Sequence, residues 1–227
     1  MTTRRRALAA VLAGTAAVVA FWGVQRTTPP GPSLETEVTR IGAMPFRADP
    51  TRPTVVVTGS SSIRLWQYPQ VAFPGAQVVN TGFGGSTMAD LAAHDATLID
   101  RFRPELVVIH EGDNDLNAGR PPEQILRDTR AVLTDIATDL PTARVVLISA
   151  KPSPARWDHA AAYRELNAGY RRLARERPEV TFADMWPALL GTSGSPDPAL
   201  YRDDGLHLDA AGYARWTASL QHPRFQP

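Results

Sequence analysis

Five short runs dense in Val, Ile and Leu, at residues 54–58, 77–80, 106–110, 144–149 and 180–183, constrain this chain more than any other feature. Their apolar residues are continuous rather than alternating, the pattern of strands covered on both faces. Segments of helical period lie between them. Met88, Leu91, Leu98 and Phe102 form one stripe, Ile125, Leu126, Val132, Leu133, Ile136 and Leu140 a second, and Tyr163, Leu166, Tyr170 and Leu173 a third. Strand and helix in alternation imply a parallel sheet, since each return to the same sheet edge needs a crossover. The 227 residues are therefore predicted to hold one α/β domain, a three-layer α/β/α sandwich around a five-stranded parallel sheet.

The N-terminus stands apart. Arg4, Arg5 and Arg6 precede an uncharged run of 18 residues, 7–24. A positive flank followed by an apolar stretch is the physical form of a secretion signal or a membrane anchor. Residues 1–26 are accordingly predicted to be a signal peptide or N-terminal membrane anchor, with the bulk of the chain outside the cytoplasm. Pro29-Pro30-Gly31-Pro32 suits neither a helix nor an inner strand, so 27–33 reads as a stiff linker. The folded domain is predicted over 34–227, starting with a short helix within 35–46. Four of the 24 basic residues fall in the first 26 positions, which leaves the remainder slightly acidic and without the basic surface of a nucleic-acid partner. The chain has no cysteine, which excludes disulfides, thiolate metal sites and a cysteine nucleophile.

In a parallel sheet, ligands bind at the carboxyl ends of the strands. Polar or glycine-rich blocks fall there repeatedly: Gly59-Ser60-Ser61-Ser62, Gly82-Phe83-Gly84-Gly85-Ser86, Gly112-Asp113-Asn114-Asp115 and, beyond the fifth run, Asp204-Gly205-Leu206-His207. Each has a plain reading by itself. Ser61 could cap a helix, the glycines could make a tight turn, Asn114 could be a turn residue and His207 a surface histidine. Their shared sheet edge argues for a joint role. An ester hydrolase needs a hydroxyl nucleophile, a base, a group to orient the base, and donors for the oxyanion. Ser61, His207 and Asp204 could fill the first three roles. The Ser61 and Gly85 amides and the Asn114 side chain could supply the donors. The G-x-S-x-G elbow is absent because Ile63 stands where its second glycine would be. A phosphate-binding loop fails because Thr87 replaces the third glycine of G-x-G-x-x-G.

The four blocks, in this order, resemble the signature segments of the SGNH/GDSL hydrolase superfamily, in the bacterial branch whose first block reads Gly-Ser-Ser-Ser-Ile-Arg-x-Trp, here residues 59–66. Asn80-Thr81-Gly82-Phe83-Gly84-Gly85-Ser86 is similar to the second block, Gly112-Asp113-Asn114-Asp115 to the third, and Asp203-Asp204-Gly205-Leu206-His207-Leu208 to the last. Lys151-Pro152-Ser153-Pro154 and Trp157 are also similar to that branch. The likeness spans about residues 34–220, with Ser60 in place of the Asp of a literal Gly-Asp-Ser-Leu. It implies a flavodoxin-like fold, an acyl-serine intermediate on Ser61, His207 as base oriented by Asp204, an oxyanion hole that includes Gly85 and Asn114, and no cofactor. It implies short acyl, acetylated-sugar or lysolipid esters as substrates.

Two rival readings are set against this one. Asp113, Asp115 and Asn117 alternate like a calcium loop, but Ala118 and Gln124 replace its required glycine and glutamate. His94, His110, His159 and His222 share no metal-ligand spacing, so structural or solvated roles are the default for each, with substrate contact weighed as an alternative for His110, which ends the third run. The second rival is a membrane-tethered module that binds an acylated glycan without turnover.

Overall fold

In the computed structural model, residues 32–227 are described. The assignment of 1–26 as signal or anchor lies outside them, as do residues 27–31 of the linker predicted over 27–33. Among the described residues no helix is long and apolar enough to cross a membrane.

The apolar runs form β1 (Thr54–Gly59), β2 (Gln77–Asn80), β3 (Leu106–His110), β4 (Arg144–Ile148) and β5 (Val180–Ala183). All pair in parallel in the order β2-β1-β3-β4-β5, the flavodoxin-like order. β1 and β3 are buried at every position, as their unbroken apolar runs require, while the edge strand β2 is partly exposed.

Alternate strand residues feed two separate cores. Val56, Val107, Ile109, Val145 and Leu147 face one cluster. It is completed by α1 (Leu34–Gly42), α3 (Met88–Leu98), α5 (Pro122–Asp139) and α6 (Ala160–Glu176). Val55, Val57, Val108, Val146 and Ile148 face the other, which is closed by Trp66, Phe73 and α7 (Ala210–Leu220). The two helical layers are thus unequal. α7 carries only Tyr213, Trp216 and Leu220 as large buried residues, too sparse a stripe for periodicity to reveal. The helix predicted within 35–46 ends at Gly42, and Ala43 caps it.

Local signals set the helix starts. The Ser33 hydroxyl accepts the Thr36 N–H, Thr87 and Asp90 form a reciprocal capping box, and Asp209 accepts the Gly212 N–H. Two short helices, α2 (Ser61–Arg64) and α4 (Asp113–Asn117), begin directly beyond β1 and β3. They sit on neighbouring strands at the point where the strand order reverses, the place where such sheets bind ligands.

Candidate active site

β1 ends in Gly59 at φ +131°, where a Cβ would stand 2.1 Å from the His110 carbonyl oxygen. Only glycine lets the chain turn there, and the turn launches α2. Ser60 is the N-cap residue but makes no side-chain capping bond. Ser61 is the first helical residue, so it is not the cap. Ser60 and Ser62 are each 2% exposed, whereas Ser61 is partly open.

The Ser61 Oγ lies 2.9 Å from His207 Nε2, across 146 residues of sequence. His207 Nδ1 is 2.7 Å from Asp204 Oδ2. The other oxygen of Asp204 accepts the backbone N–H groups of Leu206 (2.8 Å) and His207 (2.9 Å). Burial works against charge on this carboxylate, but the bonds from the His207 side chain and from these two amides hold its pKa down to about 2. Asp204 therefore stays anionic at neutral and mildly acid pH, and it fixes both the tautomer and the direction of the ring.

Gly85 sits at φ +81° with open space where a side chain would be. Neither its N–H nor that of Ser61 has an acceptor among the described residues. Asn114, on α4, donates one amide proton to the Ser86 carbonyl at 2.8 Å. Its carbonyl oxygen accepts Arg156 Nη2 at 3.1 Å, while Arg156 Nη1 donates to the Asp113 carbonyl at 2.9 Å. The amide is held at both ends, and its second N–H is left over. The Ser86 hydroxyl in turn lies 2.9 Å from the Phe83 carbonyl and 2.5 Å from the Glu111 carboxyl. Burial pushes the Glu111 pKa well up, which favours the protonated carboxyl. One hydroxyl proton cannot serve two acceptors, and a proton on Glu111 would satisfy the second contact.

Behind the site, Lys151 is 1% exposed and donates to Asp113 Oδ2 at 3.1 Å and to the Leu206 carbonyl at 3.0 Å. Burial is the largest single influence and opposes ionisation of Asp113, but the Lys151 charge, the His110 side chain and the Arg156 charge together outweigh it and hold the carboxyl well below the usual carboxylate range. His110 is fully buried, packed edge-on against Trp216 at a centroid distance of 4.9 Å. It faces no open surface, which fits the default structural role and not substrate contact. Asp115, on α4, pairs with Arg120 at 2.6 Å and accepts the Met88 N–H. Sequence reasoning missed Arg156 and the links made by Lys151. For Lys151 the signal was the similarity of Lys151-Pro152-Ser153-Pro154 to the family branch; no local signal marked Arg156.

A cavity of about 860 Å³ opens between residues 64–71 and α7, lined by Arg64, Trp66, Tyr68, Tyr213 and Thr217 among others. Ser61, Gly85, Asn114, Asp204 and His207 do not line it, so the hydrogen-bonded relay, not the cavity, marks the candidate site.

The comparisons with known proteins agree with this geometry in fold. The model of the GDSL-like lipase/acylhydrolase family matches residues 58–215. No curated protein matches the chain. Among solved structures, a protein from Streptococcus pneumonia is 22% identical with a TM-score of 0.72, over 83% of this chain and 91% of that one. A GDSL-like lipase from Bacteroides thetaiotaomicron is 20% identical with a TM-score of 0.67, over 83% of this chain and 95% of that one. A catalytic mutant of an acetylxylan esterase from Geobacillus stearothermophilus is 15% identical with a TM-score of 0.62, over 74% and 91%.

Proposed function

The chain belongs to the GDSL-like lipase/acylhydrolase family, a family of carboxylic ester hydrolases, and from that premise we propose that it is a serine esterase working through an acyl-serine intermediate on Ser61. The observation that carries the reading is the unbroken relay from Ser61 Oγ to His207 Nε2 (2.9 Å) and from His207 Nδ1 to Asp204 (2.7 Å).

In this mechanism Ser61 Oγ attacks the ester carbonyl carbon while His207 Nε2 takes the hydroxyl proton. Asp204 stabilises the imidazolium that forms and is not itself protonated. The carbonyl oxygen becomes an anion, bound by the Ser61 and Gly85 N–H groups and the spare Asn114 N–H. Collapse breaks the carbon–oxygen bond to the alcohol, which leaves with the proton from His207. Water then attacks the acyl-serine, giving its proton to His207, and collapse returns the acid and the free serine.

The substrates are short acyl esters, acetylated sugars or lysolipids; the acetylxylan esterase among the structural neighbours is in keeping with an acetylated sugar. A panel of these esters compared by kcat/KM ranks the classes. Residues 1–26 hold the enzyme at the membrane or export it, which puts the esterase outside the cytoplasm. Intact full-length protein recovered only in the cytosolic fraction would remove that placement.

The direct test is hydrolysis of p-nitrophenyl acetate by the purified protein and by Ser61→Ala. Loss of nearly all activity in the variant is expected. Activity unaffected by the substitution would rule out Ser61, and absence of turnover in the parent on every ester of the panel would favour the non-catalytic acyl-glycan-binding module.

A further inference from the structure

α1 lies outside the stretch matched by the family model, which begins at residue 58. Its polar residues Glu35, Thr36, Thr39 and Arg40 are exposed, but Glu37 is only 4% exposed, on the same face as Val38 and Ile41. A carboxylate taken out of water needs partners. Glu37 has two, and they come from two separate segments of the candidate site. One oxygen accepts the Gly84 N–H, and the other pairs with Arg64 Nε at 3.3 Å. Gly84 directly precedes Gly85, and Arg64 is the last residue of the helix that Ser61 begins. The close packing depends on the glycine: a Cβ at position 84 would lie 2.8 Å from Arg64 Nε.

We propose that Glu37 is a positioning residue for the oxyanion hole, one carboxylate that ties the Ser61 helix to the Gly84–Gly85 turn and so sets the spacing of their two free amides. The inference rests on the serine-esterase reading. Gly85 has no side chain by which to be held, so its position is inherited from its neighbours. Phe83 N–H is bonded to the Gly59 carbonyl at 2.9 Å, and the next amide, Gly84, is bonded to Glu37. On the opposite side Asn80 makes a parallel tie, donating to the Ile63 carbonyl at 2.8 Å and accepting the Gly82 N–H at 2.9 Å. The support beneath Glu37 is itself clamped. Arg101 donates to the Ile41, Gly42 and Met44 carbonyls at 2.6–2.8 Å, fixing the carboxyl end of α1. Oxyanion donors act only when prealigned, and a misplacement of about 1 Å can cost on the order of 100-fold in rate.

The test compares the full chain with Glu37→Ala and Glu37→Gln on p-nitrophenyl acetate, measuring kcat, KM, the acid limb of the pH profile and thermal unfolding. Glu37→Ala should lower kcat by about 10- to 100-fold, with KM nearly unchanged and the acid limb unmoved, because the His207–Asp204 pair lies elsewhere. Glu37→Gln, whose amide oxygen still accepts the Gly84 N–H, should recover part of the loss. A folded Glu37→Ala protein with kcat within about twofold of the parent overturns the proposal, as does a loss that merely follows the fraction unfolded. If Glu37→Ala fails to fold, Gly84→Ala takes its place: its added methyl pushes Arg64 away from the carboxylate and should give the same fall in kcat, and an unchanged kcat there also overturns the proposal. Ser61→Ala run in parallel separates the two readings. Activity that survives it removes the esterase mechanism, whereas Ser61-dependent activity indifferent to Glu37→Ala removes only the role of Glu37.

Discussion

Asn114 is gripped from two sides, by the Ser86 carbonyl and by Arg156, which leaves one N–H to meet a developing oxyanion. Deleting that donor in Asn114→Ala should lower kcat by on the order of 10²–10³ with KM little affected; steady-state kinetics decides it, and an unaltered kcat would mean the amide serves only the turn. At residue scale the sequence named side chains that the structure brings together at this sheet edge, and the first block held three serines in a row. Burial separates them: Ser60 and Ser62 are closed off and Ser61 faces the imidazole. Arg156 was not legible because its partner lies 42 residues away, and no local pattern marks an arginine that bonds an amide oxygen.

At the scale of elements, Lys151 joins the end of β4 to α4 and to the loop that carries His207. Lys151→Met would leave the Asp113 carboxylate buried without its cation, a loss of about 3–5 kcal/mol. A lower denaturation midpoint in urea checks this, and Lys151→Met combined with Asp113→Asn should regain much of it. A second prediction concerns the carboxyl ends of α3 and α5. Asp100 follows α3, with burial first and then the charges of Asp95, Asp139 and Asp135 raising its pKa from 3.8 to about 6. The folded state therefore takes up a proton as pH falls through 6 toward 4, so this group favours folding at the acid end and opposes it above pH 6. Asp100→Asn should raise the Tm at pH 8 and leave it nearly unchanged at pH 4. An equal shift at both pH values would contradict the raised pKa. The strands were legible within a residue, because burial on both faces demands unbroken apolar runs. α7 was not, because it covers its side of the sheet with three large residues.

The whole molecule assembles the candidate catalytic relay, drawing the serine from the end of β1 and the histidine from the loop before α7. Because Asp204 is held at about pKa 2, a single ionisation, that of the His207 imidazole, should govern the acid side of the rate profile. As pH falls His207 gains a proton, loses its basic lone pair, and kcat/KM should drop about tenfold per pH unit. A profile flat from pH 8 to pH 4 would contradict the base, and a steeper second-order fall would mean that Asp204 is also being protonated. By itself the sequence determined the parallel α/β architecture and the four blocks at the strand ends, since apolar runs, helical period and glycine-rich turns are local consequences of side-chain chemistry. The resemblance of the first block already pointed to Ser61, but only the tertiary structure brought it to the histidine, sealed His110 inside, and set Glu37, Lys151 and Arg156 behind the site. Those facts depend on contacts between distant segments, and a contact of that kind leaves no period or spacing along the chain.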